Sequence, residues 1–253
     1  MREEYKEIIA KEFERCVINT IRRLEKEETN RPFHKALLSE DALVWSRFER
    51  SFSTSFGQRV IEKISKVAAL AGGASESNNQ KETFINIDES KSTAIENHIS
   101  AMRQNKLGRS PNWNYDLNSI IGTIDLGINM RIRVISDLWW KKDGIDNYMS
   151  IKTVKPNIDQ TAEVKRDLLK LKINDPSSNV YFGLYYNPYG ENRKDYKWTP
   201  PMGIFDFLND SVVLIGRDYW DTLGGMGFYS ELMEIATSVG EITKERLSAY
   251  YIK

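Results

Sequence analysis

Two stretches, Gly122-Thr-Ile-Asp125-Leu-Gly-Ile128 and Tyr148-Met-Ser150-Ile-Lys152-Thr-Val-Lys155-Pro156-Asn157, decide how the chain reads. Both lie in a β-branched, apolar run from Ile120 to Val154 that carries the turn signal Lys142-Asp143-Gly144, and this predicts a meander of two or three strands. Side chains alternate along a strand, so Tyr148, Ser150, Lys152 and Val154 are expected on one face, with Met149, Ile151 and Thr153 on the other. In the earlier strand, Asp125 is expected to point away from Ile124 and Leu126, which would anchor it in the core. A carboxylate and an ammonium are thereby expected on a common polar face.

Upstream, Ile8, Ile9, Phe13, Val17, Ile21 and Leu24 recur at helical spacing and predict an amphipathic helix over 4–28, ended by Asn30-Arg-Pro32. A short helix near 36–45 precedes a second long one over 55–71, which Gly72-Gly73 stops. The polar run 74–83 reads as an exposed loop, and a third long helix over 89–105 is broken by Gly108-Arg-Ser-Pro111. Downstream, a helix over 158–172, strands at 179–186 and 211–215, and closing helices are expected. The order predicts a mixed α/β (α+β) fold, a central mixed β-sheet flanked by helices with a helical N-terminal region. The expected organisation is a single domain over 1–253: a helical part at 1–110, a sheet core at 111–220 and C-terminal helices at 221–253.

A chain of 253 residues can bury a full core without disulfides. Its one cysteine, Cys16, lies in a helical pattern with Phe13, Val17 and Ile21 and reads as a small buried residue, with only His34 and His98 available to activate a thiol. No apolar run approaches the roughly 20 residues of a membrane span, so the cytoplasm is the expected compartment. Acidic residues crowd the N-terminal region, Glu27 and Glu28 among them, and the formal net charge is zero. Binding to nucleic acid would therefore need a local basic surface.

Hydrolysing a phosphodiester needs a cation against developing charge, an activated water and a group to hold that water. Asp125 and Lys152 are the residue types for those tasks, and magnesium is held by one or two carboxylates while it keeps several waters. Spacing alone favours the plainer reading, in which Asp125 opens a turn and Lys152 is solvated on an edge strand. Because a lysine carries its proton at neutral pH, the role read for Lys152 is orienting water and stabilising charge.

This hairpin resembles the PD-(D/E)xK nuclease core, in which a strand aspartate and an acidic-x-lysine triplet bind the metal. Here the triplet is Ser150-Ile151-Lys152, so the resemblance implies that a second carboxylate comes from the following helix, and Glu163 is the residue it designates. More widely the chain resembles TdeIII-type type II restriction endonucleases, through Arg31-Pro-Phe-His34, Phe48-Glu-Arg-Ser-Phe-Ser-Thr-Ser-Phe-Gly57-Gln, Lys152-Thr-Val-Lys-Pro-Asn157 and Ile215-Gly-Arg-Asp-Tyr-Trp220-Asp-Thr-Leu-Gly-Gly225. That resemblance implies a homodimer that cuts both strands of double-stranded DNA with Mg2+ at a short palindrome of the form GGNCC.

In nucleases with this core a helix before the sheet often brings a glutamate or glutamine near the metal. Gln58 and Glu62 lie one turn apart on the 55–71 helix, and Glu62 is the choice. Lys155 is a candidate phosphate contact. A GG site calls for arginine or lysine forks on projecting loops, which points to Arg103, Lys106 and Arg109 on one loop and to Arg193, Lys194 and Lys197 on another. Other readings stay open: a non-specific or repair nuclease, a DNA-binding module that Ser150 has left inactive, and an interaction domain whose polar hairpin is only surface.

Overall fold

A computed structural model describes residues 1–26 and 30–251; Glu27 and Glu28 lie outside them. Helix α1 (Glu3–Glu25) sets Glu3 and Glu4 in its first turn and Arg22 and Arg23 in its last, matching its dipole. After α2 (Pro32–Leu37), Ser39 caps α3 (Glu40–Ser55), and a π-helical turn (Phe56–Val60) joins α3 to α4 (Ile61–Ala71). The helix expected over 55–71 is thus the end of a longer run. Its π turn, with wider i→i+5 bonds, rotates the side chains of α4 relative to those of α3.

The polar run expected to be a loop is instead most of β1 (Glu76–Asp88). It forms one edge of a five-stranded sheet of order β1-β2-β3-β4-β5. An edge strand leaves many side chains in water, so polar residues are tolerated wherever a neighbour supplies backbone partners. The neighbour is β2 (Asn129–Lys142), antiparallel from Glu76↔Lys141 to Asp88↔Asn129. Between them in sequence come α5 (Glu89–Arg103) and α6 (Trp113–Ile121). Asp143 and Gly144, at φ 52° and 77°, then turn the chain into β3 (Ile145–Lys152) as a two-residue hairpin. Next are α7 (Ile158–Asn174), β4 (Asn179–Leu184) and β5 (Val213–Ile215), both strands adding in parallel. Helices α8 (Arg217–Gly224) and α9 (Phe228–Tyr251) follow.

The strand expected around Asp125 is not formed. After α6 the segment 122–128 is a loop wrapped on the Asp88 carboxylate, which accepts the backbone N–H of Leu126 (3.1 Å), Gly127 (2.8 Å) and Ile128 (3.1 Å). Gly127 at φ 77° lets these amides converge. Ile124 and Leu126, expected to anchor a strand, are 85% and 65% exposed.

Each face of the sheet carries a core. One joins Ile95, Trp113, Leu117, Leu168 and Phe182 under α5, α6 and α7; the other joins Ile9, Ile64, Met149, Trp220 and Leu232 under α1, α4, α8 and α9. Along β2, Val134 and Trp139 lie in the first core and Leu138 and Trp140 in the second. Alternation therefore slips by one between Val134 and Leu138. The adjoining register continues from Asn79↔Leu138 to Lys81↔Ser136, so both strands turn over together at Gln80 and Asp137. Among the described residues no helix is long and apolar enough to cross a membrane.

Candidate active site

At this turnover lies a cleft of about 360 Å³ bordered by Gln80, Arg133, Asp137, Ser150, Lys152, Glu163 and Asp167. The β2–β3 ladder ends at Leu138↔Met149. One step further the Asp137 side chain replaces the backbone as acceptor: its Oδ2 takes the Ile151 N–H at 2.6 Å and the Ser150 hydroxyl at 3.2 Å. Ser150 and Lys152 alternate with Ile151, which packs into the α4-side core.

Helix α7 supplies the acids on the opposite wall. Its start is fixed by a capping box in which Asn157 and Gln160 bond each other's backbone N–H at 2.8 and 2.9 Å. Glu163 and Asp167 are then one turn apart. Arg166 and Lys170, the cations three residues beyond Glu163 and Asp167 on the helix, are drawn to Glu96 on α5, at 2.8 and 3.7 Å.

From the other layer, α4 brings Glu62. The Ser65 hydroxyl shares a 2.6 Å hydrogen bond with Tyr219 of α8, and Asn79 Nδ2 donates to the Glu62 carbonyl at 2.8 Å, which ties α4 to the sheet. Gln80 Nε2 donates to Glu62 Oε2 at 3.0 Å and to Asp137 Oδ1 at 3.3 Å. Burial pushes the Glu62 carboxyl up; the Gln80 hydrogen bond opposes this, Asp137 adds to it, and Lys152 works against it. Burial likewise raises Asp167, with Lys170 opposing and Glu163 adding. The centre thus concentrates more negative charge than Lys152 offsets.

Among the described residues no three histidine, cysteine, aspartate or glutamate side chains are grouped as a ready-made metal cage. The donor set still fits magnesium, a hard cation that takes one or two carboxylates and keeps its waters. Asp137 and Glu163 border one cleft, and two neighbouring carboxyls are raised.

The structure brings together Lys152, Ser150 and Glu163, with Glu62 joined through Gln80. It does not bring Asp125, which pairs at 2.5 Å with Lys91 of α5. The strand aspartate beside Ser150 is Asp137. Folding the sequence about Asp143-Gly144 places Asp137 opposite Ser150, a signal that the Gly-Thr-Ile-Asp-Leu-Gly run obscured.

The expected DNA contacts fare unevenly. Lys155 Nζ sits 5.4 Å from the Tyr189 ring centre and 5.6 Å from that of Trp198. Lys106, Lys194 and Lys197 are exposed, as is Gln58 on the π turn. Arg103 pairs with the exposed Asp159. Arg109 is drawn instead to the buried Asp116, and Arg193 spends its guanidinium on the carbonyls of Phe207 (2.7 Å) and Asp210, so both serve the fold. A basic cleft that the sequence did not reveal lies between α1 and the α3–α4 junction, bordered by Arg15, Arg22, Arg23, Lys26, Arg59 and Lys63, with Glu12 the acid among them.

Residues 1–240 match the family described as HinfI, type II restriction endonuclease. The type II restriction enzyme HgiEI of Herpetosiphon aurantiacus is 30% identical over 253 residues, covering 96% of this chain and 90% of its own. HgiCII from the same organism is 30% identical over 227 residues, 86% of this chain and 82% of the relative, and HgiBI is 30% identical over 234 residues, 88% and 84%. No solved structure matches the chain. With the whole sheet and the acid–lysine cleft inside the matched span, the chain belongs to the HinfI family of type II restriction endonucleases.

Proposed function

We propose that this protein is a magnesium-dependent, site-specific endodeoxyribonuclease with a PD-(D/E)xK-like centre made of Asp137, Ser150, Lys152 and Glu163. The observation that carries this reading is the Asp137 carboxylate, fixed on the Ile151 amide at 2.6 Å in the cleft that Lys152 and Glu163 also border. Asp137 and Glu163 would hold the cation, which supplies charge neutralisation at the phosphate and activation of water. Lys152 orients the attacking water and opposes charge on the phosphate oxygens. Ser150 is no ligand in this scheme; its hydroxyl steadies Asp137. Glu62, held through Gln80, adds a further carboxylate at the α4 side.

Lys155, braced by Tyr189 and Trp198, is placed to meet a backbone phosphate, and Arg103, Lys106, Lys194 and the basic cleft beside α1 offer further cations to the duplex. The TdeIII-type resemblance supports the finer reading: a single nuclease domain over 1–253, acting in the cytoplasm as a homodimer whose twofold axis matches that of a GGNCC site. The test is incubation of the purified protein with a sequenced plasmid and Mg2+, followed by sequencing of the fragment ends. Discrete fragments ending at GGNCC are expected. A smear would replace the reading with a non-specific nuclease, and intact plasmid with an inactive binding module.

A further inference from the structure

Gln80 is a strand residue with a backbone that strands do not use. Its φ is 50°, a left-handed value that costs a non-glycine residue and persists only where the surroundings impose it. The other described non-glycine residues with positive φ, Asn105 and Asp143, lie just after a helix and in the hairpin turn. Gln80 sits mid-strand, opposite Asp137, at the step where β1 and β2 turn over. What the conformation achieves is aim: the side-chain amide reaches Glu62 Oε2 at 3.0 Å and Asp137 Oδ1 at 3.3 Å. Its neighbour Asn79 makes the parallel link through backbone, donating to the carbonyls of Glu62 and Asp137 at 2.8 and 3.3 Å.

Two carboxylates, one from α4 and one from the sheet beneath it, repel each other, and an amide has one N–H for each. This inference rests on the proposed nuclease reading. We infer that Gln80 is a positioning residue and placeholder: its amide occupies Asp137 Oδ1 and Glu62 Oε2 while Asp137 Oδ2 is held by Ile151 and Ser150, so a divalent cation held by Asp137 would have to displace it. The amide is neutral, so it balances the pair only in part and yields to a doubly charged ion.

Two substitutions separate this role from a merely structural one. Gln80→Gly keeps the left-handed backbone without strain and deletes only the amide; Gln80→Lys puts a fixed positive charge in its place. The measurement is Mg2+ binding by titration calorimetry without DNA, with thermal melting of the same samples to verify folding. Gln80→Gly is expected to bind Mg2+ about tenfold more tightly, because a charge-assisted hydrogen bond no longer competes. Gln80→Lys is expected to bind it at least about tenfold more weakly while staying folded. Unchanged affinity in either variant, or weaker binding by Gln80→Gly, overturns the placeholder role even if the wild type binds Mg2+ and cuts DNA. A wild type that neither binds Mg2+ nor cuts DNA overturns the nuclease reading and this inference with it.

Discussion

Replacing Asp137 and Asp125 separately by asparagine tests which aspartate serves the cleft. Asp125 is 55% exposed in its side chain and pairs with Lys91, and an exposed ion pair is worth about 0.2–1 kcal/mol. Asp125→Asn should therefore change stability by less than about 1 kcal/mol and leave the cleavage rate within about threefold, which is about 0.7 kcal/mol of barrier. In the proposed scheme Asp137→Asn removes the charge that would hold the cation, and loss of one preorganised electrostatic group costs about 2.7–4 kcal/mol, so a fall of at least roughly 10²-fold is expected. Its stability cost is smaller, because two effects oppose. With its amide oxygen kept on the Ile151 N–H, the introduced asparagine would turn its NH2 group toward the Gln80 donor, losing a hydrogen bond worth about 1.5–3 kcal/mol; the repulsion from Glu62 disappears at the same time. A net cost near 1 kcal/mol would lower Tm by about 2–4 °C in a chain of this size. Single-turnover cleavage of supercoiled plasmid with saturating Mg2+, beside calorimetric melting, reads both quantities. Activity of Asp137→Asn within tenfold of wild type, or an equal loss in Asp125→Asn, would refute the assignment.

Asp116 and Lys165 are fully buried and hydrogen-bonded, and Asp116 also receives His98 at 3.0 Å and Arg109 at 2.5 Å. Burial opposes the charge on each partner, but three converging donors hold the Asp116 carboxyl well below the usual range, and that direction governs here. Asp116→Ala would strand the Lys165 ammonium on the Ile204 carbonyl, costing about 3–5 kcal/mol and roughly 6–20 °C in Tm, whereas Asp116→Leu with Lys165→Met should recover most of it. A loss in Asp116→Ala within about 1 kcal/mol would show that the pair is not isolated from water. For Glu62 the folded pKa is raised above 4.5, so its contribution to stability is fully present below that value and is lost as pH rises through the raised one. Urea melts in chelator between pH 4 and 8 should show Glu62→Gln more stable than wild type at neutral pH and equal at the acid end; a constant difference would refute the sign. If the cleft beside α1 carries DNA, Arg22→Ala with Arg59→Ala should weaken binding to all sequences and reduce the slope of log K against log salt by about 0.9 for each phosphate no longer neutralised. Fluorescence anisotropy across a salt series measures that slope, and an unchanged slope removes the cleft from the DNA path.

What the sequence determined by itself is local. Ser150 and Lys152 are two residues apart on one strand, Asp143-Gly144 carries the left-handed turn that makes the hairpin, and Asn157 with Gln160 starts the helix that brings Glu163; each follows from short-range backbone preferences. The amphipathic pattern around Ile9, Phe13 and Cys16 likewise marked a buried helix face correctly. Only the tertiary structure decided that the polar run after Gly73 is a strand, since its pattern is that of an edge and its backbone partners lie on β2. Only the tertiary structure put Asp137, and not Asp125, beside Ser150 in the cleft, because Asp88 captures the amides of residues 126–128 from far along the chain and turns a strand-like run into a loop. The division follows from distance along the chain: propensity and periodicity record interactions within a turn or a strand, whereas a site drawn from α4, β1, β2, β3 and α7 depends on hydrogen bonds and packing between segments that meet only on folding.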